Sequence, residues 1–304
     1  SNVITVSEGA NLNNEVYKAN IGDILLLSSG KYNGPIVINK PLQLIGEEET
    51  IIQGAGKGSV ITVSAPDVKI KNLKITGSGN ALETMDSGIF IDKSGDRATV
   101  EENYIFNNLF GVYLWGPKDA IVNENKIIGM TEGHVNGRGN GVSLWNSPGS
   151  IIKNNNISFG RDGIFSTSSK NNIFKNNNLK DTRIAIHYMY TNNSEIINNH
   201  SENNHVGYAL MFSRNLIVEE NKSINDRDHG ILLNFANKSI IKNNIVENGK
   251  NKCVFIYNSN KNKFIRNSFT GCLIGIHFTA GSEKNIIFYN SFIKNKTQVK
   301  YVGS

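Results

Sequence analysis

The stretch "AIHYMYTNNSEIINN", residues 185–199, decides the fold. If its first half is a strand, side chains alternate between faces, so Ile186 and Tyr188 share one side while His187 and Met189 share the other. Its second half ends on a pair of asparagines, and that ending returns along the chain. Asparagines Asn103, Asn125, Asn155, Asn177, Asn199, Asn221, Asn243, Asn267 and Asn290 recur 22 to 24 residues apart, with one interval of 30. Three residues before each stands an apolar side chain, from Val100 through Ile240 to Ile287. The opening half returns in the same register, as "GIFI", "GVYLW", "GVSLW", "GIFST", "GYALM", "GILLN", "CVFIY", "GIHFT" and "QVKYV".

Short β-rich segments separated by Asn, Gly and Ser turns, at a period too short for a helix-containing repeat, describe a solenoid in which each repeat is one coil. The expected fold is all-β: a right-handed single-stranded parallel β-helix of about 22–23 residues per coil, each coil supplying about three strands. Stacked coils explain the asparagines, because an amide repeated in register can donate to the coil beside it and satisfy buried polar groups. A solenoid end must be covered or it pairs with other chains. Residues 1–22 are expected to form an N-terminal cap with a short amphipathic helix and a strand, and 23–304 the β-helix, with an inserted loop near 131–140.

Composition narrows the function. The chain has 304 residues, 38% hydrophobic, and no apolar run long enough to span a membrane as a helix. Its net charge of +6 comes from lysines scattered through turns, without an aromatic-plus-arginine RNA motif, so a solvated surface is expected rather than a nucleic-acid partner. The start, Ser-Asn, carries no Met and no leader, which suggests that a targeting segment has been removed. The only cysteines, Cys253 and Cys272, are expected to be a free, mostly buried pair, because their register offsets them by about 10 Å along the chain, unless a sharp turn at Gly271 shortens that distance.

Positions such as Ile89, Ile186 and Val299 are expected to line the core, which turns the alternate positions outward. One outward column reads Phe90, Tyr113, Ser143, Phe165, His187, Ala209, Leu232, Phe255, His277; the next contains Trp115, Trp145, Met189, Met211 and Tyr257. Aromatic residues and methionine on an outer face mark a binding surface. Partner contacts are therefore expected at Trp115, Trp145, Phe165, Tyr190, His229, Phe255, Tyr257 and His277. The insert Thr131 to Asn140 would act as a flap or a recognition loop. Met189 and Met211 fall in adjacent coils about 5 Å apart, with His187 about 7 Å away on the same face and His205 in the preceding turn. Two thioethers with imidazoles form a soft donor set that favours monovalent copper. A competing chemistry sits at "NDRDHG", where Asp226, Arg227, Asp228 and His229 read like the acid and base cluster of a uronate epimerase or lyase.

The segments "IAIHYMYTN", "HVGYALMFS", "RDHGILLNFAN", "KCVFIYN", "CLIGIHFTAGSE" and "TQVKYVG" closely resemble the NosD family, densely from about Asp162 onward and loosely before it. That resemblance implies a periplasmic β-helix protein that is an accessory factor and not an enzyme. Such proteins serve maturation of the copper site of nitrous oxide reductase, with an ABC transporter of ATPase and permease and a copper-donating lipoprotein as partners. It further implies transient copper contact among the matching residues His187, Met189, His205, Met211, His229 and His277, with His187, Met189, His205 and Met211 as the expected ligands, and that the family's chains continue beyond "QVKYVG".

Overall fold

A computed structural model describes residues 1–279 and 281–302; the expected end of the β-helix at 303–304 lies outside them. Two compact units emerge, one up to Arg161 and one from Asp162 onward. In both, every coil places one strand in each of three parallel sheets. In the second unit the coil that opens with Ile184–Met189 continues through Glu195–Ile197 and His200–Glu202 before the next begins at Val206. Register partners lie one coil apart, as Ile186 with Tyr208 and Tyr208 with Ile231.

Two kinds of asparagine make the corners. Asn198 and Asn243 adopt positive φ (53° and 56°), a left-handed conformation that asparagine tolerates better than most residues. The next residue, Asn199 or Asn244, turns inward and joins a ladder. Asn177 donates to Asn199 at 3.0 Å, Asn199 to Asn221 at 3.0 Å, Asn221 to Asn244 at 3.0 Å and Asn244 to Asn267 at 2.9 Å. The ladder therefore runs through Asn244 and not Asn243. The pair "NN" satisfies either assignment in sequence, and only the hydrogen bonds separate the rung from the corner.

The interior is apolar and aromatic. Tyr188 and Tyr208 are fully buried, and the Tyr208 hydroxyl donates to the Lys222 carbonyl at 2.7 Å. Along these strands the offset stays constant, Ile184 with Val206 and Ile186 with Tyr208, so the inward and outward columns keep their faces from coil to coil. At Gly230 a Cβ would lie 2.4 Å from a Val246 methyl, so only glycine fits there. Val299 and Ile287 keep register with Ile276 and Phe264 but are exposed, contrary to the buried position expected of Val299, because they lie in the last described coil.

At the N-terminal end the strand Val3–Val6 pairs with Ile24–Leu27, and the helix Leu12–Lys18 lies between them in sequence. Asn11 starts the helix by accepting from the Asn14 amide at 3.0 Å. Leu12 and Val16 are buried, while Asn13 accepts from Val37 N–H and donates to Pro35 C=O, both at 3.0 Å. That amide occupies the hydrogen-bonding edge of the strand Ile36–Ile38, where a further strand would otherwise pair.

Cys253 and Cys272 form a disulfide, contrary to the expected free pair. Gly271, at φ 75°, turns the chain sharply before Cys272 and leaves the two Cα atoms 5.6 Å apart.

One buried carboxylate carries a prediction. Asp226 has no exposure and accepts from Ser201 Oγ (2.6 Å), Ser223 Oγ (2.5 Å) and the Asn204 amide (2.8 Å). Burial raises its pKa against the lowering effect of those hydrogen bonds. A raised folded-state pKa means this group's stabilisation is complete below its unfolded value, about 3.9, and is lost as pH rises through the folded value. Asp226→Asn keeps the shape without the charge. Urea unfolding at neutral pH is expected to show it more stable by about 1 kcal/mol, with the advantage shrinking toward pH 4.

Candidate functional site

The face of interest is the outward side of the sheet that contains Ile184–Met189, in the second unit. Its strands include Asp162–Thr167, Ile184–Met189, Val206–Met211, His229–Asn234 and Lys252–Tyr257. Met189 and Met211 are register partners, each half-buried, and His187 stands two residues before Met189. The outer face is not bare. Ile184, Val206 and Ala209 are buried and form a small apolar cluster outside the main core, with Met211 and Leu232 packed against it. His187 faces away from the core, yet only 6% of it is exposed, which corrects the expectation of an open position.

What covers His187 also orients it. The Asp162 carboxylate is buried and takes Arg183 Nε and Nη2 at 2.8 Å each, and His187 Nδ1 lies 3.1 Å from the same group. Burial pushes the Asp162 pKa up, but hydrogen bonds from Arg183 and His187 and the guanidinium charge carry it below the ordinary carboxylate value. An ionised carboxylate only accepts, so the proton of the ring sits on Nδ1; in the neutral imidazole Nε2 is then a lone pair. That Nε2 is buried with no hydrogen-bond partner.

His205 does not join this group. It precedes the strand that Met211 ends, which separates them by roughly 15–20 Å at about 3.3 Å per residue. Its Nε2 instead lies 3.7 Å from Asp228, which also lies 3.3 Å from His229 Nε2. Among the described residues no group of three or more His, Cys, Asp or Glu side chains comes together to hold a metal ion. A metal here would be held by thioether and imidazole, a soft set suited to monovalent copper. The acid and base cluster at "NDRDHG" also divides: Asp226 is the buried interior residue described above, and Arg227 Nη1 donates to the Asn203 carbonyl at 3.1 Å.

Trp145, Tyr190 and Tyr257 are exposed (38%, 55% and 42%); Trp115, Phe165, His229 and Phe255 are half-buried, and His277 is buried. In the first unit Trp115 and Trp145 are register partners with rings stacked at 5.2 Å. Phe212 and Phe235, overlooked in the sequence, link the second unit's aromatics. Tyr190 stacks on Phe212 at 5.1 Å, and Phe212 on Phe235 at 5.3 Å; Phe235 meets Tyr257 edge-on at 6.1 Å. Tyr190, Phe212 and Phe235 all have positive φ (49°, 49° and 53°), a strained choice for bulky residues where other coils use Ser168 or Asn258. The signal was present: each follows directly on a residue of the outward column. In the insert, Arg138 Nη2 donates to the carbonyls of Thr131 (2.7 Å) and Gly133 (2.8 Å), closing the loop on itself.

A family model described as periplasmic copper-binding protein (NosD) matches residues 128–304, more than half of the chain, and one for a right-handed β-helix region matches 50–186. The chain is 43% identical to a probable ABC transporter binding protein NosD of Stutzerimonas stutzeri, over 91% of this chain and 67% of that one. This chain belongs to the NosD family. A Pseudomonas aeruginosa protein of the same name is also 43% identical, over 91% of this chain and 68% of its own. Among solved structures, the Dettilon tailspike superposes with a TM-score of 0.68 at 13% identity, covering 88% of this chain and 62% of that one. The mannuronan C-5 epimerase AlgE4 A-module of Azotobacter vinelandii gives 0.62 at 11%, covering 96% and 93%. At such identities these structures share the fold alone, a right-handed parallel β-helix. The NosD family is a periplasmic copper-binding one, its named relatives are binding proteins, and no helix among the described residues is long and apolar enough to cross a membrane.

Proposed function

We propose that this chain is an accessory factor in the maturation of the nitrous oxide reductase copper site. In this reading it docks on the periplasmic face of an ABC transporter, accepts monovalent copper from a copper-donating lipoprotein and releases it toward the reductase. The observation that carries the copper step is the partnerless Nε2 of His187, fixed as a lone pair by Asp162, on the face where Met189 and Met211 are register partners. Copper is cargo here. Thioethers bind it without a proton to displace and release it readily, so transfer proceeds by ligand exchange between soft donors. His205 is left out of the ligand set by its position. The stacked rings from Tyr190 to Tyr257, and the Trp115–Trp145 pair, supply rigid aromatic area for partner docking.

The test is a cuprous titration under reducing conditions against a competing chelator. Met189→Leu with Met211→Leu is expected to weaken binding at least tenfold while leaving the melting temperature within a few degrees, since Leu for Met conserves volume. Equal affinity in the double variant would leave this face as a docking surface only. A uronate epimerase or lyase would have to rely on Asp228 beside His229, because the acid at Asp226 is enclosed in the interior.

A further inference from the structure

Farther along the same face, lysine ammonium groups gather with no carboxylate in ion-pair contact among the described residues. Phe255, His277 and Lys300 are register partners on the outward side, and Lys252 precedes Phe255 in its strand. The Lys252 ammonium stands 3.8 Å from the centre of the Phe255 ring, and His277 meets the edge of that ring at 5.3 Å. One aromatic ring thus holds an ammonium and an imidazole in a single patch, with Lys300 in the adjoining strand. Neither Lys252 nor Lys300 forms an ion pair among the described residues.

The histidine is the telling group. His277 is 8% exposed, and neither of its ring nitrogens has a hydrogen-bond partner. Whichever tautomer it adopts, one buried N–H lacks an acceptor, a defect that costs about 1–3 kcal/mol and that native structures rarely keep. His229, stacked on Phe255 at 5.2 Å, also has a buried, partnerless Nδ1. The nearby carboxylate, Asp228, is already engaged: it accepts from Asn251 at 3.0 Å and lies beside His205 and His229. Burial, followed by the charges of Lys252 and Lys300, lowers the His277 pKa, and burial lowers that of Lys252 against the opposing charge of Asp228. Each of these features is relieved by one negatively charged acceptor.

We propose that this patch binds a compact oxyanion, of carboxylate or phosphate size, which accepts from the His277 ring N–H and pairs with the ammonium groups of Lys252 and Lys300 beside Phe255. The site is independent of copper and lies on other residues than the methionine pair. A polar ligand seated against an aromatic ring keeps water from screening the two charges, and the short reach of the patch favours a small anion over an extended one.

The test uses the metal-free protein and the proton–nitrogen spectrum of its histidine rings, titrated with acetate in one arm and inorganic phosphate in the other at constant ionic strength. The expected result is a saturating shift at His277, with the ring of His134, in the insert, unmoved. Lys252→Met with Lys300→Met is expected to weaken that saturation at least tenfold; if the pair fails to fold, Lys300→Gln alone should weaken it severalfold. Saturation with acetate alone assigns a carboxylate ligand, and saturation with both assigns a general oxyanion site. Shifts that rise linearly without saturating, or that are unchanged in the lysine variants, overturn the proposal.

Discussion

Asn199→Leu is expected to lower the unfolding free energy by about 3–6 kcal/mol, because it removes one rung from the middle of the ladder. The side-chain amide donates to the Phe174 carbonyl at 2.9 Å and to Asn221 at 3.0 Å, and its oxygen accepts from the backbone and side chain of Asn177, both at 3.0 Å. Leucine fills the space but returns none of these bonds, so buried donors and acceptors on two neighbouring coils lose their partners with no water to replace them. Coils contact their neighbours, so the damage spreads through the two interfaces that the rung joins. The contrasting variant is Asn290→Leu, at a half-buried rung where solvent can supply the missing bonds; its cost is expected to stay near 1 kcal/mol. Guanidinium unfolding measures both. Similar losses at the two positions would mean that the ladder's enclosure from water does not set its energy.

The second large effect is at Asp162. Replacing it by leucine leaves the Arg183 guanidinium and His187 Nδ1 without the acceptor they share, and breaking a buried pair from one side costs about 3–5 kcal/mol. Because the folded-state pKa of Asp162 is depressed, its contribution is present above the unfolded value of about 3.9 and disappears as pH falls through the folded value. The native protein should therefore lose stability on acidification below about pH 4 along a limb that Asp162→Leu lacks. The same variant frees the His187 ring to move its proton to Nε2, visible in the nitrogen chemical shifts of the ring. A ring that keeps its proton on Nδ1 in this variant would show that another group sets the tautomer.

Much of the architecture is legible in the chain because a solenoid repeats its physics. Each coil meets the same neighbours, so Val100, Ile152 and Ile196 repeat an apolar inward position, and register alone brings Met189 beside Met211. Legibility fails where one residue type satisfies two roles, as with Asn243 at the corner and Asn244 on the rung. It also fails where alternation gives direction without cover. His187 does point away from the core, but Asp162 comes from the coil before it, and only the stacking of coils brings that carboxylate to the ring beside Arg183, which stands at the entry to the histidine's own strand. The disulfide is hidden for a related reason: a strand-length offset places Cys253 and Cys272 apart, and only the turn at Gly271 brings them together.

By itself, then, the sequence determined the periodic elements: which side chains enter the core, which residues bend the chain, and which columns look outward. Those depend on alternation and repeat length, which are properties of the backbone at short range. Tertiary structure alone decided the state of the outward groups: His187 locked by a carboxylate, His205 drawn to Asp228, Asp226 enclosed, His277 left without a partner. Protonation, burial and hydrogen-bond partners depend on atoms that meet across coils, and electrostatic interactions in a low-dielectric setting are fixed by those distances and not by position along the chain.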